Sequence, residues 1–297
     1  MIIEKQLLKF NKIGIVCNDI GGAYFVKAFL EEFELNNFVS FCEGPAKSLF
    51  KKNYNGSLED FIKENDLIIT GTSWSSDIEK CAIKISKDTN KTCYTVLDHW
   101  VNFKERFILN NKIIFPDVII VFDAKAFQLA ETLIYPTTTK IIKTKTNLFI
   151  KNFLKGSLKI EKKFNNRILF IDEPIKEHYE IKLKKDFTYL GYNEFSAFTD
   201  FLKQKNQTKF RNFIIDIKLH PSSDINKYSD YLNDKILVLD PLCRLEDILS
   251  GYKFVVGLTS MALFLAKNMD PNNIVYSIIP KSLCTNHIFD LNSFYDI

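Results

Sequence analysis

Short apolar runs alternate with amphipathic stretches along most of the chain, and this alternation limits the available folds more than any other feature. Ile13–Cys17, Phe38–Phe41, Leu67–Thr70, Thr92–Leu97 and Val118–Phe122 read as strands, with Lys140–Lys143 as a sixth. Between them, Ala23–Phe33, Leu58–Lys63, the stretch ending near Asp88 and Ala124–Leu133 carry helical periodicity. Strands this short and this apolar need cover on both faces. Intervening helices supply it, so the pattern predicts βαβ units around parallel sheets.

Residues 151–166 interrupt the rhythm with a polar, Lys-rich segment, read as an interdomain connection. A second series follows: strands Arg167–Ile171, Phe213–Leu219, Ile236–Leu239, Phe254–Val256 and Ile274–Ile278, and helices Phe195–Lys205, Leu245–Ser250 and Met261–Asn268. A chain of 297 residues accommodates two such domains. The expectation is therefore a domain over 1–150, a linker over 151–166 and a second domain over 167–297.

The net charge of +4, without a basic stripe interleaved with aromatics, argues against nucleic acid as a partner. The six cysteines are scattered with no C-x-x-C pair. Neither a disulfide framework nor a zinc site is expected, and a reducing cytoplasm fits. The N-terminus shows no signal-peptide pattern, and no apolar run reaches the roughly 20 residues that span a bilayer. Five lysines within 151–166 suggest a peripheral contact with the inner membrane, although such a segment is usually just solvated.

The second series carries the most telling motif. The run Ile214–Leu219 ends abruptly on His220-Pro221, and proline cannot extend a central ladder, so His220 should stand at the strand's C-terminal edge. In open α/β sheets that edge binds ligands. Downstream, Gly257-Leu-Thr-Ser260 leads into a helix, where Thr259 and Ser260 suit a phosphate and Gly257 would let backbone approach it. A plain helix cap is the alternative for either hydroxyl. Glu246, opening a short helix, suits ribose hydroxyls.

Lys218-Leu-His-Pro221, the acid Glu246 downstream and the Thr259-Ser260 pair resemble bacterial sialyltransferases of the GT-B type, and more distantly the Kdo transferases of capsule assembly. The resemblance covers mainly 167–280. The two successive series describe two Rossmann-like domains facing a cleft, the GT-B arrangement, and the resemblance implies His220, Thr259 and Ser260 on the phosphate of a CMP-sugar donor and Glu246 on its ribose, with Lys218 and Gly257 read beside them. It also implies transfer of a sialic acid or a relative to a surface-glycan or lipid-linked acceptor. Those families carry a further motif, two acidic residues followed by Gly, whose carboxylate is the base. This sequence has no such triplet; Asp172-Glu173-Pro174 comes nearest.

The first half offers substitutes. Asp98-His99-Trp100 follows an apolar strand directly, which makes Asp98 the preferred base, with His99 and Trp100 shaping an acceptor pocket. Asp19, in the turn Asn18–Gly22, is the rival base or a simple cap. Ser73 in the loop Gly71–Ser76 suits acceptor binding or capping. Arg106 suits a substrate carboxylate or a surface ion pair. His178 and His287 read as structural. No D-x-D triplet occurs, so the expected reaction needs neither metal nor cofactor, and the departing phosphate would be stabilised by the helix dipole and side-chain donors. Two alternatives stay open: another nucleotide-sugar transferase or epimerase of the same fold, and a non-catalytic partner protein.

Overall fold

The computed structural model describes residues 6–50, 52–73, 76–100, 103–134, 137–144, 164–177, 179–180, 186, 191–270, 272–279 and 292–296. The linker residues 151–163, His178, His287, Cys284, Trp74 and Ser75 lie outside them. The chain divides into two compact units, Met1–Phe153 and Leu154–Ile297.

Unit 1 is built on β1 (Ile13–Cys17), β2 (Phe38–Cys42), β3 (Leu67–Thr70), β4 (Thr92–Val96), β7 (Val118–Val121) and β8 (Lys140–Lys143), all parallel, in the order β2-β1-β3-β4-β7-β8. A two-stranded hairpin, β5 (Ile108–Leu109) with β6 (Lys112–Ile113), lies outside this sheet and was not read from the sequence. Every residue of β1, β3 and β7 is buried, as central strands covered on both faces require. Helices α1 (Ile20–Glu32), α2 (Leu58–Glu64), α3 (Ile78–Asp88) and α4 (Ala124–Ile134) make the crossovers. Edge strand β8 exposes Lys140 and Lys143, charges that blunt an open edge.

Unit 2 repeats the plan with β9 (Phe164–Ile171), β10 (Ile214–Lys218), β11 (Ile236–Val238), β12 (Tyr252–Gly257), β13 (Ile274–Ser277) and β14 (Asn292–Ser293), parallel, in the order β11-β10-β9-β12-β13-β14. Its main helices are α5 (Glu194–Lys205) and α6 (Met261–Met269). Asn193 caps α5 by accepting from the Phe195 and Ser196 N–H groups. Ile215, Ile217, Phe170, Phe198, Phe201, Phe210 and Tyr228 form the core on one face.

The strand orders fix where ligands can enter. In unit 1 the chain winds outward from β1 to β2, then reverses through β3; in unit 2 it winds from β9 to β11, then reverses through β12. Crevices of doubly wound sheets open at these reversals, beyond the C-terminal strand ends. They lie between β1 and β3, and between β9 and β12. One expected boundary needs correction: residues 164–166 are strand rather than linker, because Phe164 pairs with Tyr252 and their rings stack at 5.0 Å. Among the described residues no helix is long and apolar enough to cross a membrane.

Candidate functional site

At the unit 2 crevice the last residues of β9 run into Asp172 and Glu173, whose neighbouring side chains serve opposite flanks. Asp172 turns toward the loop after β10. Its Oδ2 accepts from the His220 N–H at 3.2 Å and the Ser223 hydroxyl at 2.6 Å, and its Oδ1 accepts from the Tyr228 hydroxyl at 2.7 Å. The Lys227 ammonium stands 3.1 Å from Oδ1 and 2.8 Å from the Glu194 carboxylate, its side chain almost fully enclosed. His220-Pro221-Ser222-Ser223 forms a tight turn closed by the Ser223 N–H on the His220 carbonyl at 2.9 Å, with proline at its favoured second position. The imidazole is exposed. Its Nδ1 accepts from the Ser222 backbone N–H at 3.2 Å and lies 2.8 Å from the Ser222 hydroxyl. A backbone N–H can only donate, so in the neutral ring the proton sits on Nε2.

Glu173 turns the other way, onto the start of α6. It accepts from the Thr259 N–H and, at 2.8 Å, from the Thr259 hydroxyl. A carboxyl group of the protein therefore holds the donors that the sequence assigned to a phosphate. Burial pushes the Glu173 carboxyl up to about 7, with the Thr259 and Ser260 bonds pulling the other way. The Ser260 hydroxyl accepts from the Ala262 N–H at 3.2 Å and is the N-cap of α6. Gly257 is explained by packing: a Cβ there would meet the Ile171 carbonyl oxygen at 3.1 Å and the Leu263 side chain at 3.2 Å.

Lys218 and Glu246 flank this region. Lys218 donates to the Pro241 carbonyl at 3.3 Å, and partial burial lowers its pKa. Glu246 is buried and accepts from the Arg244 guanidinium at 2.8 Å.

The unit 1 crevice gathers Asn18, Asp19, Thr72, Ser73, Glu79, Asp98 and Arg106. The start of α1 comes close to the loop after β3 because Gly22 faces the Thr72 backbone, where a Cβ would stand 3.3 Å from the Thr72 nitrogen. Asn18 donates through Nδ2 to Asp19 Oδ1 at 2.9 Å and to the Ser73 hydroxyl at 3.3 Å. Asp19 takes the N-cap position of α1 without a side-chain capping bond. Ser73 is buried and also accepts from the Ser76 N–H at 3.2 Å. Glu79 is buried, accepts from the Asn18 N–H at 2.9 Å through Oε1, and leaves Oε2 without a hydrogen bond. Burial pushes its carboxyl up to about 8, and the nearby Asp19 and Asp98 add to the rise.

Three expectations change here. Arg106 is not a surface residue: it is 5% exposed, and its Nη1 binds Asp98 Oδ1 at 2.6 Å and the Thr72 hydroxyl. Asp98 is accordingly engaged in an ion pair, and also accepts from Thr72 at 3.0 Å. Trp100 is core: 5% exposed, T-stacked on Phe122 at 4.6 Å, with its Nε1–H on Asp123 at 2.7 Å, while Asp123 caps α4 through the Ala126 N–H. His99 accepts the Trp100 N–H on Nδ1 at 3.0 Å. Asp172, Glu173 and Glu79 are the residues the sequence reading left out of its site. Two adjacent acids at the end of an apolar strand were a usable signal for the first two. Glu79 gave none. Among the described residues no group of three or more His, Cys, Asp or Glu side chains is placed to hold a metal ion.

No protein-family model matches the chain, and no curated protein does. Among solved structures, a putative UDP-N-acetylglucosamine 2-epimerase from Listeria monocytogenes superposes with a TM-score of 0.55 at 12% identity, over 90% of this chain and 78% of that one. A spinosyn forosaminyltransferase (TM-score 0.44, 8% identity, 89% and 80% covered) and the glycotransferase of kitacinnamycin (0.46, 8%, 96% and 87%) superpose less well. The likeness shows the fold alone: an α/β chain of two Rossmann-like units.

Proposed function

We propose that this chain is a sugar-nucleotide enzyme, a glycosyltransferase that moves a nonulosonic acid from a CMP donor to a glycan acceptor. The observation that carries the reading is the unit 2 crevice. There His220, its Nε2–H as a donor, stands at the end of β10, next but one to the strand whose end leads to Thr259 and Ser260, with Asp172-Glu173 between them. Negative charge develops on the phosphate as the glycosidic bond breaks. A preorganised Nε2–H and the start of α6 stabilise that charge more than the ground state, which is what accelerates the step. Binding on the α6 side requires Glu173 to be protonated or turned aside, since it holds the Thr259 donors. Lys218 and Glu246 complete the donor side.

The base is assigned to Asp19 rather than Asp98. Asp98 serves to hold Arg106, whereas Asp19 stands two residues past β1, at the N-cap of α1 and at the crevice of its own unit. His99 and Ser73 remain on the acceptor side as supports of that loop cluster. In an assay of CMP-sialic acid turnover, His220→Ala is expected to lower kcat by about 100-fold or more with the melting temperature unchanged. Near-normal turnover in that variant would reject the role. Asp19→Asn should fall similarly, while unchanged activity would return the base to Asp98.

A second reading keeps the fold and changes the donor to a UDP-sugar, with epimerisation as the reaction. It is favoured by the superposition on the putative UDP-N-acetylglucosamine 2-epimerase. Selective thermal stabilisation by UDP over CMP would decide for it.

A further inference from the structure

The turn that presents His220 is held from outside itself. Asp172 is 1% exposed and lies 48 residues from His220 in sequence, yet its Oδ2 takes both the first backbone N–H of the turn, at 3.2 Å, and the hydroxyl of its last residue, Ser223, at 2.6 Å. Its own N–H is fixed on the Lys218 carbonyl at 3.0 Å, just before the turn. Its other oxygen is taken by Tyr228 at 2.7 Å and Lys227 at 3.1 Å. Lys227 also donates to the Ser223 hydroxyl at 3.3 Å and to the Glu173 carbonyl at 3.2 Å, and pairs with Glu194 and Glu177. The consequence falls on the imidazole. The turn brings the Ser222 N–H onto Nδ1, a donor that favours the proton on Nε2, while the Ser222 hydroxyl beside it can donate or accept.

We propose that Asp172, charge-balanced by Lys227, is a positioning residue that sets the tautomer of His220: it folds the His-Pro-Ser-Ser turn so that the Ser222 backbone N–H occupies Nδ1 and Nε2 carries the proton. The proposal rests on the reading of His220 as the phosphate partner for its catalytic meaning. The geometry it describes exists whether or not the protein transfers sugars. Removing the Asp172 carboxylate takes its tie from each end of the turn, leaving the Ser223 N–H on the His220 carbonyl, and lets the ring sample the Nδ1–H form, in which Nε2 no longer donates. Asparagine at the same place keeps an acceptor for the His220 N–H and restores the turn in part.

The test is nitrogen-detected NMR of the four histidines in the 297-residue chain, with His220→Gln identifying the His220 signals. Spectra are taken at about pH 8.5, well above the ordinary histidine value of about 6.5, so the rings are neutral. Wild type is expected to show His220 with Nε2 protonated, Asp172→Ala an averaged pattern, and Asp172→Asn a pattern nearer wild type. In turnover assays, Asp172→Ala should lose about 100-fold in kcat with KM for the sugar nucleotide within about threefold, as for a displaced catalytic group. Should Asp172→Ala fail to fold, Ser223→Ala, which removes one of the two ties from a part-exposed hydroxyl, is expected to show the same averaging to a lesser degree. A wild-type ring protonated on Nδ1, or an unchanged His220 pattern in a folded Asp172→Ala or in Ser223→Ala, overturns the proposal. If wild type turns over no sugar nucleotide, the transfer reading fails while the tautomer patterns still decide this one.

Discussion

Glu79 and Glu173 are carboxyls whose hold on a proton is strengthened by burial, and both leave a mark on stability. Their ordinary value is 4.5, raised to about 8 in Glu79 and about 7 in Glu173. The folded state thus binds more protons than the unfolded one across that interval, and the stability these groups contribute is fully present below about 4.5 and lost as pH rises through about 7 and 8. A tenfold change in proton affinity is worth about 1.4 kcal/mol, so Glu79, whose affinity rises further, should dominate. Urea midpoints are expected to fall from about pH 5 to about pH 9 in wild type, less steeply in Glu79→Gln, and in Glu173→Gln to flatten mainly below about pH 7.5. A slope that survives both substitutions would place its source elsewhere. None of this was legible in the sequence. Glu79 sits in the first turn of α3, where an acid ordinarily faces water and complements the helix dipole, and its enclosure by Asn18 depends on contacts 61 residues away. Arg106 and Trp100 misled for the same reason: their partners Asp98 and Asp123 become neighbours only when the sheet forms.

Strands were the most legible elements, because four or five consecutive apolar residues between turn signals leave few other readings. Leu67–Thr70 and Lys140–Lys143 have their expected limits. Helix starts were less so. The first helix begins at Ile20 rather than Ala23, since Gly21 and Gly22, which look like a turn, are drawn into α1 by the close contact of Gly22 with Thr72. The loop after β12 misleads in a related way. Gly257 looked like a ligand-facing glycine, and its neighbours are instead a β9 carbonyl and the first turns of α6. Gly257→Ala must push against the Ile171 oxygen and Leu263, and is expected to destabilise unit 2 by ~1–3 kcal/mol in chemical denaturation. An alanine tolerated without loss would show that β12 and α6 can separate, and would return the glycine to a ligand-facing role.

At the scale of the whole molecule, alternation of apolar runs and helices carried the fold class, while the order of strands in each sheet did not follow from it. That order matters most for function, because it decides which strand ends border a crevice. It set Asp172-Glu173 beside both the His220 turn and Thr259, and so joined motifs that lay 39 residues apart in sequence around a dyad 47 residues before the first. The proposed function stands on a nucleotide phosphate binding at this edge. Chemical-shift mapping of the isotope-labelled protein during a CMP titration probes that binding without intermediaries. Saturable shifts concentrated at His220, Thr259 and Ser260, with Glu246 at the ribose and all of them lost in His220→Ala, are the expected result; shifts confined to other surfaces, or none at millimolar CMP, would contradict it.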